Sequence, residues 1–180
     1  MNSGLRKRIW LGVSLGLLLS GCGRTSNETH SAAENAGQKE TRIVKTSADV
    51  IKIGELASTL GAGTSAEISI PISIEQGYHI NANPATFVYL IATELTADKS
   101  DGITFGKPIY PRAEKRKFQF AEQPLAVYEG QVQIKLPLQA APNAAKGTRP
   151  LALHLRIQAC DEEKCFPPAT LQAIASLDLK

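Results

Sequence analysis

The stretch "AEISIPISIE", residues 66–75, decides the fold. Ile68, Ile70, Ile72 and Ile74 recur at every second position, with Glu67, Ser69, Pro71 and Ser73 between them. Successive side chains of an extended chain point to opposite faces, so this spacing lines one face with isoleucine and leaves the other polar. A helix would scatter the same four residues around its axis. Pro71 has no N–H to give to a ladder, which predicts an edge strand or a bulge.

Further strands are expected in "TFVYLIATEL" (86–95), "KFQF" (117–120), "GQVQIKLPL" (130–138), "LALHLRIQAC" (151–160) and "LQAIASLDL" (171–179). Turn residues separate them: "NANP" (81–84), "KSDG" (99–102), "AEQP" (121–124) and "APNAAKG" (141–147). No stretch holds helical periodicity over three capped turns. The one contender, "GELASTLGAG" (54–63), is short and flanked by glycine. Short alternating strands at this spacing predict one all-β domain over residues 48–180, an immunoglobulin-like antiparallel β-sandwich. A domain of that size buries roughly two-thirds of its surface and needs no disulfide merely to fold.

Before the domain the composition changes twice. Arg6, Lys7 and Arg8 precede the apolar run Ile9–Leu19, which is too short to span a bilayer at about 20 residues. It fits an exported signal segment over residues 1–21. Leu19-Ser20-Gly21-Cys22 resembles the bacterial lipobox, which implies lipid attachment at Cys22 and a membrane anchor. Gly23 is not the aspartate associated with inner-membrane retention in enterobacteria, so the expected address is a periplasm-facing membrane, for which the outer membrane is a plausible choice. Residues 22–47 are polar and poor in aromatic and branched side chains, and read as a flexible linker. The formal charge of +3 belongs to the signal segment. Without its three basic residues, Lys and Arg fall from 20 to 17 and equal the 17 acids. A neutral exported chain gives no electrostatic case for nucleic acid.

In "LALHLRIQAC", Leu151, Leu153, Leu155, Ile157 and Ala159 share one face, and His154, Arg156, Gln158 and Cys160 the other. Alternation therefore puts Cys160 on the polar side. If this run and "LQAIASLDL" form a hairpin, Cys160 and Cys165 face each other at about 4.5–5.5 Å between Cα atoms, a separation that suits a disulfide. So short a loop restrains the unfolded chain by only about 2 kcal/mol. Asp161, Glu162 and Glu163 disfavour a thiolate, Lys164 partly offsets them, and no Cys-x-x-Cys is present. Such a pair suits exchange with a partner bringing its own activated thiol. Pro167 and Pro168 remove two backbone donors and are expected to leave this edge unpaired. On the residues alone, a structural staple, a redox pair and a metal site stay open. The last is weakest: beyond the signal segment the chain offers His30, His79 and His154, no methionine and no ligand spacing. No metal and no cofactor are expected. The basic run "RAEKRK" (112–117) reads as a solvated loop.

The segment "QACDEEKCFPPAT" (158–170) resembles the active-site segment of the N-terminal periplasmic domain of the thiol:disulfide interchange protein DsbD. The matching positions are Gln158, Ala159, Cys160, Cys165, Phe166, Pro167 and Pro168. The resemblance extends through "GYHINAN" (77–83), "YPRAEKRKF" (110–118) and "VYEGQVQIKLPL" (127–138). It implies an immunoglobulin-like sandwich in which Cys160 and Cys165 exchange electrons between a thioredoxin-like protein and periplasmic disulfide isomerases or similar thiol proteins. It also implies site-lining roles for His79, Asn81, Gln158, Phe166 and Pro167. Tyrosines stand in well-known members where this chain has His79 and Asn81; here His79 is a candidate to tune thiol protonation near neutral pH. The family shields its cysteines with an aromatic cap, for which Phe118, Phe120 and Tyr128 are candidates. The competing expectation is a non-catalytic binding sandwich in which the disulfide is a hairpin staple.

Overall fold

A computed structural model of the 180-residue protein describes residues 46–180. The signal segment, Cys22 and the linker up to residue 45 lie outside the described residues. A 3₁₀ turn, Ser47–Val50, leads into β1 (Ile51–Ile53), β2 (Ala57–Leu60), β3 (Ser65–Ile74), β4 (His79–Asn81) and β5 (Glu94–Ala97). The chain continues through β6 (Ile103–Phe105), β7 (Glu114–Arg116), β8 (Leu125–Tyr128) and β9 (Gln131–Ala140). It ends with β10 (Gly147–Ile157), β11 (Ala159–Cys160) and β12 (Ala169–Leu179).

Three four-stranded sheets result, in the orders β1-β3-β9-β6, β2-β12-β10-β5 and β11-β4-β8-β7. The first two form the sandwich. Ile68, Ile70 and Ile72 of β3, with Ile134 and Leu136 of β9, share one core with Leu151, Leu153 and Leu155 of β10 and Leu177 of β12. Register follows the apolar pattern: Ile68 pairs with Leu136, Ile70 with Ile134, and Leu151 with Ala175. A slip by one residue would turn each apolar set outward. The fold is the expected all-β, immunoglobulin-like sandwich, and no helix among the described residues is long and apolar enough to cross a membrane.

Several local expectations are corrected. β3 is an inner strand, between β1 and β9. Pro71 is tolerated there because its amide side faces β1, which has already ended at Ile53; only Gly54 N–H reaches back, to the Pro71 carbonyl at 2.9 Å. Within "TFVYLIATEL" only Glu94 and Leu95 are strand, and Val88 and Tyr89 stand out in solvent. "KFQF" is a turn rather than a strand. "RAEKRK" is not a loop throughout, since Glu114–Arg116 pair with Leu125–Val127. Ser47, the last residue of the expected linker, is buried in the fold.

Candidate functional site

The third sheet caps one end of the sandwich and carries the cysteines. β10 stops at Ile157, Gln158 leaves the ladder, and Ala159 and Cys160 pair with Ile80 and His79 in a different sheet. The alternation carries on through the switch: Ala159 and its partner Ile80 join the main core, and Cys160 and its partner His79 take the other face. Cys160, expected on the polar side, keeps that side but is fully buried, because this face of the third sheet is covered. Gln158 braces the switch. Its Oε1 accepts from Asn81 Nδ2 and from the Ile91 N–H, and its Nε2 donates to the Phe166 carbonyl, each at 3.4 Å.

The chain then turns back on itself. Asp161 Oδ1 accepts from the N–H groups of Glu163 and Lys164, both at 2.8 Å, and Asp161 N–H donates to the Lys164 carbonyl. Partial desolvation pushes the Asp161 carboxyl up, but these two N–H bonds, with Lys164 and His79 nearby, hold it below its ordinary value. Phe166 N–H reaches the Ala159 carbonyl at 2.8 Å, which sets Cys165 opposite Cys160. The two form a disulfide with Cα atoms 3.8 Å apart, closer than the hairpin estimate. The edge beyond is not unpaired: the Pro167 carbonyl accepts from Ser47 N–H at 3.2 Å and Ser47 Oγ at 2.7 Å. Ser47 Oγ in turn accepts from the buried Ala159 N–H at 2.9 Å. Thr46 and Asp49 form the capping box that fixes Ser47 in place.

The two sulfur-bearing residues differ in access. Cys160 is closed off, whereas Cys165 is half-buried and lines an open groove of about 610 Å³. Phe87, Tyr89 and Leu90 form one wall of the groove, and Phe120, Ala121 and Leu125 contribute to the rest. Of the three cap candidates, Phe120 lines the groove and is 42% exposed, while Phe118 is buried beneath it, the two rings stacked at 5.4 Å. Tyr128 belongs instead to the main core, where its hydroxyl accepts from the Asn83 N–H at 3.1 Å.

His79 and Asn81 sit on the cap face of β4, both buried. Asn81 Nδ2 also donates to the Ile91 carbonyl, and the Asn81 carbonyl accepts from Thr93 Oγ1 at 2.6 Å. His79 stacks on Phe118 with centroids 4.0 Å apart, and its Nε2 has no hydrogen-bond partner. Burial, then the Arg116 guanidinium, lower its pKa to about 4, against a smaller upward pull from Asp161. Arg116 was hidden in the basic run. It lies 2.9 Å from Glu129 and 4.0 Å from Glu162. Phe166 packs near Tyr78, with centroids 5.7 Å apart, and lies beneath Lys164. Ser47 and Arg116 were missed by sequence reasoning; only Ser47 had a local signal, the Thr46-x-x-Asp49 box.

The sandwich thus ends in a disulfide loop, with one sulfur-bearing residue sealed and the other opening on an aromatic groove. The chain belongs to the family of the thiol:disulfide interchange protein DsbD, N-terminal domain, whose family model matches residues 48–176. No curated protein sequence matches it. Among solved structures it is similar to the N-terminal periplasmic domain of ScsB from Proteus mirabilis, at 11% identity and a TM-score of 0.44. That likeness covers 71% of this chain and 44% of the other, so this chain spans under half of that relative's length. A cohesin from Pseudobacteroides cellulosolvens is similar at 10% identity and a TM-score of 0.42, over 72% of this chain and 90% of the other.

Proposed function

We propose that this protein is a membrane-tethered, periplasm-facing thiol–disulfide exchange module. Its domain, which takes in Ser47, is held by the residues from Cys22 onward to a lipid on Cys22. The Cys160–Cys165 pair relays electrons between a thioredoxin-like protein and periplasmic thiol proteins such as a disulfide isomerase. The observation that carries this reading is the unequal access of Cys160 and Cys165. An incoming thiolate attacks the Cys165 sulfur from the groove. A new S–S bond forms there, the Cys160–Cys165 bond breaks, and its electron pair leaves on the Cys160 sulfur. The partner's second thiol then releases Cys165 as a thiol and carries away the disulfide.

Thiol trapping in cells tests the reading. Cys160→Ala leaves Cys165 able to hold a partner, and a mixed disulfide with a thioredoxin-like protein is expected; Cys165→Ala should trap far less. No adduct from either variant overturns the relay. The burial of Cys160 favours one rival, a binding sandwich stapled by its disulfide. On that account, replacing both cysteines costs about 2 kcal/mol of stability and leaves partner binding intact.

A further inference from the structure

The buried polar groups of the cap face are nearly all paired, and the exceptions among the described residues are His79 Nε2 and Asn81 Oδ1. Asn81 donates twice through Nδ2, so its amide is satisfied on one side and only Oδ1 is left. His79 differs. It is 2% exposed and its imidazole stacks on the Phe118 ring. Leaving a buried ring nitrogen without a partner costs free energy that a leucine would not. Directly across the ladder from His79 stands Cys160. Side chains of such a pair lie on one face of the sheet, with Cβ atoms about 5 Å apart. A disulfide sulfur carries no proton and accepts hydrogen bonds poorly. The ring with the orphan nitrogen thus stands across the ladder from one of the two residues whose hydrogen-bonding capacity changes when the disulfide opens.

We propose that His79 is the proton partner of the Cys160 sulfur, idle while the disulfide is closed and engaged once it opens. This rests on the exchange reading above. When a reductant's thiolate forms its bond to Cys165, the electron pair of the broken S–S bond arrives on a sealed sulfur beside Asp161. An isolated thiolate there is costly. The proton shed by the reductant's thiol is then held between His79 Nε2 and the Cys160 sulfur, as imidazolium–thiolate or as thiol hydrogen-bonded to imidazole. Charge and electrons balance: the reductant dithiol gives two electrons and two protons, one proton to this pair and one to Cys165 on release. The groups facing His79 are set for this. Arg116 on β7, itself engaged by Glu129 and Glu162, opposes an idle charge on the ring. Asp161, following β11, favours protonation, and Phe118 supplies only a ring face. With a pKa of about 4 in the closed state, the imidazole is neutral at neutral pH and free to accept.

The test is an NMR titration of the histidine rings in the full chain, oxidised and then reduced with dithiothreitol, with His79→Gln identifying the signal. The midpoint of His79 is expected to rise on reduction by about one pH unit or more, the scale of a contact charge partner. An unchanged His79 midpoint overturns the proposal. The dithiothreitol reaction gives a second readout: His79→Gln is expected to open roughly a hundredfold more slowly near neutral pH, and a wild-type rate across the pH range counts against it. Dithiothreitol needs no protein partner, so failure here and failure of the trapping experiment are separate results.

Discussion

In the long ladders, buried cross-strand pairs are aliphatic: Ile68 faces Leu136, Ile70 faces Ile134, Leu151 faces Ala175. Under the cap of the third sheet, the positions facing inward include His79, Asn81 and Cys160. The ladders run 10 or 11 residues, and apolar area both stabilises them and sets their register. The strands of the third sheet run two to four residues and are tied by side chains such as Gln158, Ser47 and Thr93. Stability resides in one region and reactivity in the other, which is where buried polar groups are worth their cost.

That division can be broken at its strongest point by Ile70→Ala. The loss of a fully buried isoleucine from β3 should cost about 3 kcal/mol, read from the denaturant midpoint, with the rate of disulfide opening in the folded protein unchanged. A changed opening rate would mean the two regions are coupled. Acid acts on the other region. Free histidine in the unfolded chain titrates at 6.5 and buried His79 at about 4, so the unfolded state binds the extra proton between those values. The stabilising contribution of neutral His79 is complete above pH 6.5 and falls away as pH drops toward 4, by on the order of 3 kcal/mol. His79→Gln should flatten that slope in the oxidised protein. The smallest effect is expected from Ser47→Ala, which strands the buried Ala159 N–H: about 1 kcal/mol of stability, yet a faster opening of Cys160–Cys165 by dithiothreitol.

What was legible in the sequence follows the same line. β3, β9, β10 and β12 could be read from period two because their faces see one environment along their whole length. Cys160 and Cys165 stood out by spacing and by resemblance. The burial of Cys160 could not be read, because alternation gives a side chain's face and not what covers that face; here His79 and Phe118, distant in sequence, stand on it. The segment 86–91 looked like a strand by composition. Its Val88 and Tyr89 are exposed, and apolar residues that meet solvent carry the same letters as those that meet a core. Arg116 and Ser47 gained their meaning from Glu129, Glu162 and Pro167, none of them local.

β2 lies parallel to β12, with Ala57 beside Ser176 and Leu60 beside Leu179. Ser47 likewise closes on Pro167, 120 residues away in sequence. The earliest pieces of the fold thus wait for the latest before either can settle. Chains dominated by such distant pairings fold in milliseconds to seconds, not microseconds. The sandwich therefore closes only once β12 is in place, so the last residues of the chain complete what the first described ones begin.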